Sequence, residues 1–167
     1  MLKGLYDRCE FPGQVLALDP GTHCGWAVRH IDGRIAHGTA HFAKETGEGY
    51  RWLRFTNWLN DWSRTQPVSA LYFEHIDFAK GPEAPVIYGF QAMITWWGER
   101  NRVPYDDFGP KQIKKFATGT GNATKAEMMQ AVRLWGFAPK DHNAADALAI
   151  LHLGMERLAG KKKGEAA

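Results

Sequence analysis

The chain has 167 residues, 44% hydrophobic and 23% charged, a length and balance that fit one globular domain with its own core and exclude wholesale disorder. No apolar run reaches membrane-spanning length and the N-terminal stretch lacks a signal-peptide pattern; two cysteines, Cys9 and Cys24, cannot build a disulfide framework, so a cytoplasmic protein is expected. With 21 basic and 18 acidic residues the net charge is +3, which permits a polyanionic partner without requiring one.

Gln14 to Asp19 is a short apolar run bounded by Pro20-Gly21, the pattern of a buried strand. Gly25 to Arg29 predicts a second strand, and Asp32-Gly33 supplies a hairpin turn before a third over Arg34 to Phe42. Trp52, Phe55, Leu59 and Trp62 then recur at helical spacing, the stripe of a helix covering that meander. Ser69 to Phe73 reads as a fourth strand ending at Glu74. Val86, Phe90, Met93 and Trp97 mark another helix, and Val103 to Tyr105 a short fifth strand. Helices follow over Pro110 to Phe116, over Ala123 to Trp135 with Thr124 and Glu127 as a capping box, and over Ala144 to Leu158. The order predicts an α/β fold, a mixed five-stranded sheet flanked by helices, in one domain over residues 1–160. Residues 161–167 are expected to be a charged, frayed tail. Most of the seven Trp fall in helical stripes, where packing is their ordinary use.

Three acids stand where chemistry would be placed. Asp19 and Glu74 each close an apolar strand, and Asp146 lies near the start of the last helix. Singly each has an ordinary reading: a turn Asp before Pro-Gly, a strand-end charge, an acid favouring a helix dipole. Together they imply more. If the first and fourth strands are neighbours, Asp19 and Glu74 meet at the sheet rim, where like charges stay ionised only with a cation between them. Hard oxygen ligands select Mg²⁺ or Mn²⁺.

Four motifs carry a resemblance: Leu18-Asp19-Pro20-Gly21-Thr22 followed by Gly25-Trp26-Ala27, Glu74 after its apolar strand, Gly119-Thr120-Gly121-Asn122-Ala123-Thr124-Lys125, and Asn143-Ala144-Ala145-Asp146-Ala147-Leu148-Ala149. In order and spacing the chain resembles the RuvC-like Holliday-junction resolvases from about Val15 to about Leu153. The resemblance implies an RNase H-like fold and a crossover junction endodeoxyribonuclease, a homodimer that resolves four-way DNA junctions by paired nicks with two Mg²⁺ per site, Mn²⁺ substituting. Asp19, Glu74 and Asp146 match three metal ligands of that family. The fourth falls on Asn143, whose neutral carbonyl oxygen supplies less charge; His142 or Asp141 would be substitutes. Lys125 matches a family lysine near the scissile phosphate and Lys114 another. Lys80, Lys111 and Lys115 are further DNA-facing candidates, although for Lys111, Lys114 and Lys115 a solvated helix face is the plain alternative. In the loop after Glu74 the family places an aromatic wedge; here Asp77 occupies that slot and Phe78 follows, as a wedge or as packing under the loop.

Three other readings stay open or fall. An RNase H-like nuclease acting on flaps, duplex or RNA–DNA hybrids remains open, as does a non-catalytic nucleic-acid-binding relative. An actin-like ATPase needs two such domains and the chain has room for one. The helix from about Pro85 to Trp97, with apolar residues on more than one face, is the candidate dimer interface. Small size and the absent targeting signal suit a bacterial or phage-encoded protein in the bacterial cytoplasm.

Overall fold

The computed structural model describes residues 12–44 and 48–165; Cys9 and residues 166–167 lie outside them. Three strands open the chain, β1 (Gln14–Asp19), β2 (His23–Arg29) and β3 (Ile35–His41), followed by α1 (Glu48–Thr65), β4 (Val68–Glu74), α2 (Ala84–Asn101) and β5 (Tyr105–Phe108). Three helices close it: α3 (Pro110–Thr118), α4 (Lys125–Leu134) and α5 (His142–Glu165). The five strands form one sheet in the order β3-β2-β1-β4-β5. β1 pairs antiparallel with β2 and parallel with β4, so the sheet is mixed, as the pattern predicted.

β1 is apolar throughout because it is buried on both faces. Val15 and Ala17 join the layer beneath α3, α4 and α5, packed with Leu148, Leu151 and Met155. Leu16 and Leu18 point the other way, into the layer beneath α1 and α2, with Phe55, Leu59, Phe90, Ile94 and Trp97. The period-2 alternation of a central strand thus divides two cores.

Two expectations shift. The fifth strand runs over Tyr105–Phe108 rather than Val103 to Tyr105. Val103 spends its N–H on Gly98 O, closing the end of α2 after the left-handed Arg102 (φ 54°), and Pro104 has no N–H to offer; the ladder begins beyond it. On α2, Phe90, Ile94 and Trp97 are fully buried against the chain's own sheet, while Tyr88 and Trp96 face outward. Finally, α5 continues to Glu165, so the backbone over 161–165 is helical where a frayed tail was expected; Lys161, Lys162, Lys163 and Glu165 are good helix formers. Among the described residues no helix is long and apolar enough to cross a membrane.

Candidate active site

β1 and β4 run parallel with Leu18 opposite Phe73, so their last residues, Asp19 and Glu74, emerge side by side at one edge of the sheet. Asp19 is also the register partner of Gly25 on β2. Against Gly25 sits the start of α5: a Cβ there would lie 2.1 Å from Asn143 O, so only glycine admits the helix this close. One turn on from Asn143, Asp146 reaches the same edge. The three acids predicted from separate motifs are therefore brought together by one strand pairing and one glycine contact.

Their environment disfavours charge. Burial, then repulsion from Glu74 and Asp146, pushes Asp19 well above the usual carboxylate range, and Asp19 and Glu74 share a hydrogen bond. Burial and the Asp146 charge push Glu74 up to about 7, against its hydrogen bond with Asp19 and the pull of Lys114. Burial pushes Asp146 up to about 6, opposed by His142, Lys114 and Lys125. Among the described residues no group of three or more acid, histidine or cysteine side chains is already arranged to hold a metal ion. The donor set fits a hard divalent ion. It offers carboxylate oxygens, and the nearby Cys24 is buried with its thiol held protonated by desolvation and by Asp19, which removes the soft alternative.

Two lysines join the acids. Lys114, half-buried on α3, acts on Glu74 and Asp146. Lys125, the first residue of α4, acts on Asp19 and Asp146, and its Nζ lies 3.1 Å from His142 Nε2. Local chemistry sets its place. Gly119 ends α3 in the left-handed region (φ 84°), and the capping box follows, with Glu127 N–H donating to Thr124 Oγ1 and Thr124 N–H donating to Glu127 Oε2. Lys111 and Lys115 are exposed on α3 with no such link to the acids, and Lys80 is exposed on the loop after β4.

The candidates for a fourth ligand separate. Asp141 caps α5: its Oδ1 accepts the Ala144 N–H at 2.9 Å and the Thr39 hydroxyl at 2.7 Å. Despite its partial burial these bonds hold its carboxyl below the usual range, and it is committed to the helix rather than the cleft. His142 faces Asp146 and Lys125, while Asn143 is half-buried with its main chain seated on Gly25. Thr39 was missed by the sequence reading, and nothing in a strand of alternating small residues would have flagged it. Asp141 three residues before Ala144 was a legible N-cap.

A mixed sheet in this order, with acids at the ends of its two central parallel strands and on the facing helix, defines an RNase H-like fold of the nuclease kind. No family model matches the chain. Curated relatives do: the crossover junction endodeoxyribonuclease RuvC of Chloroflexus aggregans is 31% identical over 147 residues, covering 82% of this chain and 89% of that protein. The RuvC of Wolinella succinogenes is 26% identical over 157 residues, 87% of this chain and 97% of that one. Among solved structures, Thermus thermophilus RuvC in complex with Holliday junction substrate superposes with a TM-score of 0.72 at 25% identity, covering 83% of this chain and 90% of that chain. The chain belongs to the RuvC family of crossover junction endodeoxyribonucleases.

Proposed function

We propose that this chain is a metal-dependent endonuclease that resolves four-way DNA junctions by paired symmetric nicks, working as a homodimer with residues 1–160 as one nuclease domain, in the bacterial cytoplasm. The observation that carries the chemistry is the trio Asp19, Glu74 and Asp146, three carboxylates pushed toward neutrality at one sheet edge and faced by two lysines. Such an edge gains most from a divalent cation.

Asp19, Glu74 and Asp146 would hold two Mg²⁺ or Mn²⁺, with Asn143 or His142 completing the set. When bound, the ions supply activation of water and stabilisation of the departing 3′ oxygen. The protein's own part is positional and electrostatic. Lys125, held against His142, offsets negative charge that grows on the scissile phosphate. Lys114 steadies the same phosphate from α3. The turn over Gly119 to Ala123 brings main chain close to the strand. Lys80, Lys111 and Lys115 follow the backbone farther out, where they act as point charges. Phe78, exposed on the loop after Glu74, stacks at the branch.

The likeness of this chain to a RuvC bound to junction substrate supports the choice of DNA form. Two equivalent strands must be cut and one domain carries one site, so an isologous pair matches the substrate's two-fold symmetry. A labelled panel of four-way junction, flap, duplex and single strand, incubated with Mg²⁺, tests the reading, with sedimentation of the protein alongside. Symmetric nicking of the junction by a dimer is expected; cutting of flap or duplex without junction preference would replace it with the broader nuclease.

A further inference from the structure

Phe78 is 86% exposed, yet the backbone beneath it is tied down on both sides. Ile76 donates its N–H to Gln91 Oε1 at 3.0 Å, and Gln91 is only 7% exposed. Ala79 donates its N–H to the Tyr88 hydroxyl oxygen at 2.9 Å, and that hydroxyl donates to Asp77 O at 3.2 Å. The Asp77 carboxylate meets His75 Nε2 at 3.1 Å, and the His75 main-chain N–H reaches Phe108 O at 3.0 Å. Tyr88 and Gln91 stand three residues apart on α2 and so share one face. Their helix is itself locked into the core through Phe90, Ile94 and Trp97.

An apolar ring on a loose loop gains by folding back onto the protein. Here residues 76, 77 and 79 are bonded to α2 or to the end of β4, and the apolar ring between them projects. We propose that Tyr88 and Gln91 are positioning residues that hold Phe78 outward as a preformed stacking wedge for a base at the branch of the DNA substrate. The inference rests on the function proposed above. Its physical content is preorganisation: the freedom of the loop is given up during folding and need not be given up again when a base stacks. Tyr88 is 41% exposed, so its hydroxyl would be satisfied by water without the loop, and global stability does not require these bonds. That leaves placement as their effect.

The test is a double-mutant cycle on the full chain with Mg²⁺ and a four-way junction carrying 2-aminopurine at the branch. The readouts are its fluorescence on unstacking and the single-turnover nicking rate. Tyr88→Phe should leave the Tm unchanged and lower both readouts by roughly tenfold, the factor equivalent to one ordinary hydrogen bond. Gln91→Leu should act in the same direction. In a Phe78→Ala background Tyr88→Phe should have no further effect, because it acts only through the ring. An equal loss in both backgrounds would overturn the assignment, since Tyr88 would then act elsewhere. Normal readouts for Tyr88→Phe and Gln91→Leu, with loss in Phe78→Ala, would overturn the clamp and leave the wedge standing. Normal readouts in Phe78→Ala would overturn clamp and wedge together, while Mg²⁺-dependent junction nicking would still uphold the nuclease.

Discussion

Asp146→Asn should make the metal-free protein more stable while removing its activity. Burial pushes the Asp146 carboxyl from its ordinary 3.8 up to about 6. The native state therefore keeps this proton over a range in which the unfolded chain has lost it. Its stabilising effect is complete below about pH 3.8 and is lost as pH rises through about 6. At 1.36 kcal/mol per pH unit the ionised carboxylate costs the metal-free native state about 3 kcal/mol at pH 8, and screening at the part-exposed rim reduces this to about 1–2 kcal/mol. An amide has no charge to desolvate and avoids that cost. Unfolding followed in a chelator at pH 4.5, 6 and 8 should show the two proteins converging at the acid end and Asp146→Asn ahead at pH 8, by about 2–8 °C in Tm for a chain of this size. Adding Mg²⁺ should stabilise the unsubstituted protein more than the variant, because the ion binds the native carboxylates. Cleavage by Asp146→Asn should fall by about 10²–10⁴. A variant no more stable than its parent at pH 8, with a gap that does not change with pH, would refute the reasoning.

Other consequences are equally direct. Asn143→Asp adds a full charge beside the cleft and should lower the Mg²⁺ concentration for half-maximal nicking; if Asn143→Ala leaves metal dependence unchanged while His142→Ala raises the requirement, His142 is the fourth ligand. Lys114→Ala should flatten the plot of log K against log salt for junction binding by about 0.9. Lys125→Ala should act mainly on single-turnover cleavage, and unchanged behaviour in both variants would return these lysines to solvent. Gly25→Ala drives a methyl into Asn143 O, so it should shift α5 and lower nicking and thermal stability together, by more than about 1 kcal/mol in urea unfolding; normal nicking would show that α5 need not lie so close.

What the sequence determined by itself was what short stretches of chain encode. The apolar run of β1 closed by Asp19, the stripes of α1 and α2, and the capping box that starts α4 at Lys125 are local signals, and each element formed near its expected bounds. The acids were legible for the same reason, since an apolar strand that ends in a carboxylate announces itself. The tertiary structure decided what depends on partners distant in the chain. β5 was displaced because Val103 is claimed by the end of α2 and Pro104 cannot donate, leaving the polar Tyr105–Phe108 to pair with β4. Phe90, Ile94 and Trp97 of α2 found their cover in the sheet, which offers Leu16, Leu18, Leu71 and Phe73. Asp141 caps its own helix by a local bond to Ala144, but the Thr39 hydroxyl that shares its Oδ1 lies 102 residues away and is supplied only by the packed fold. Hydrophobic periodicity reports that a face will be buried, and a charged residue reports that it needs a partner; which surface or partner answers is chosen only when the packed chain sets them side by side.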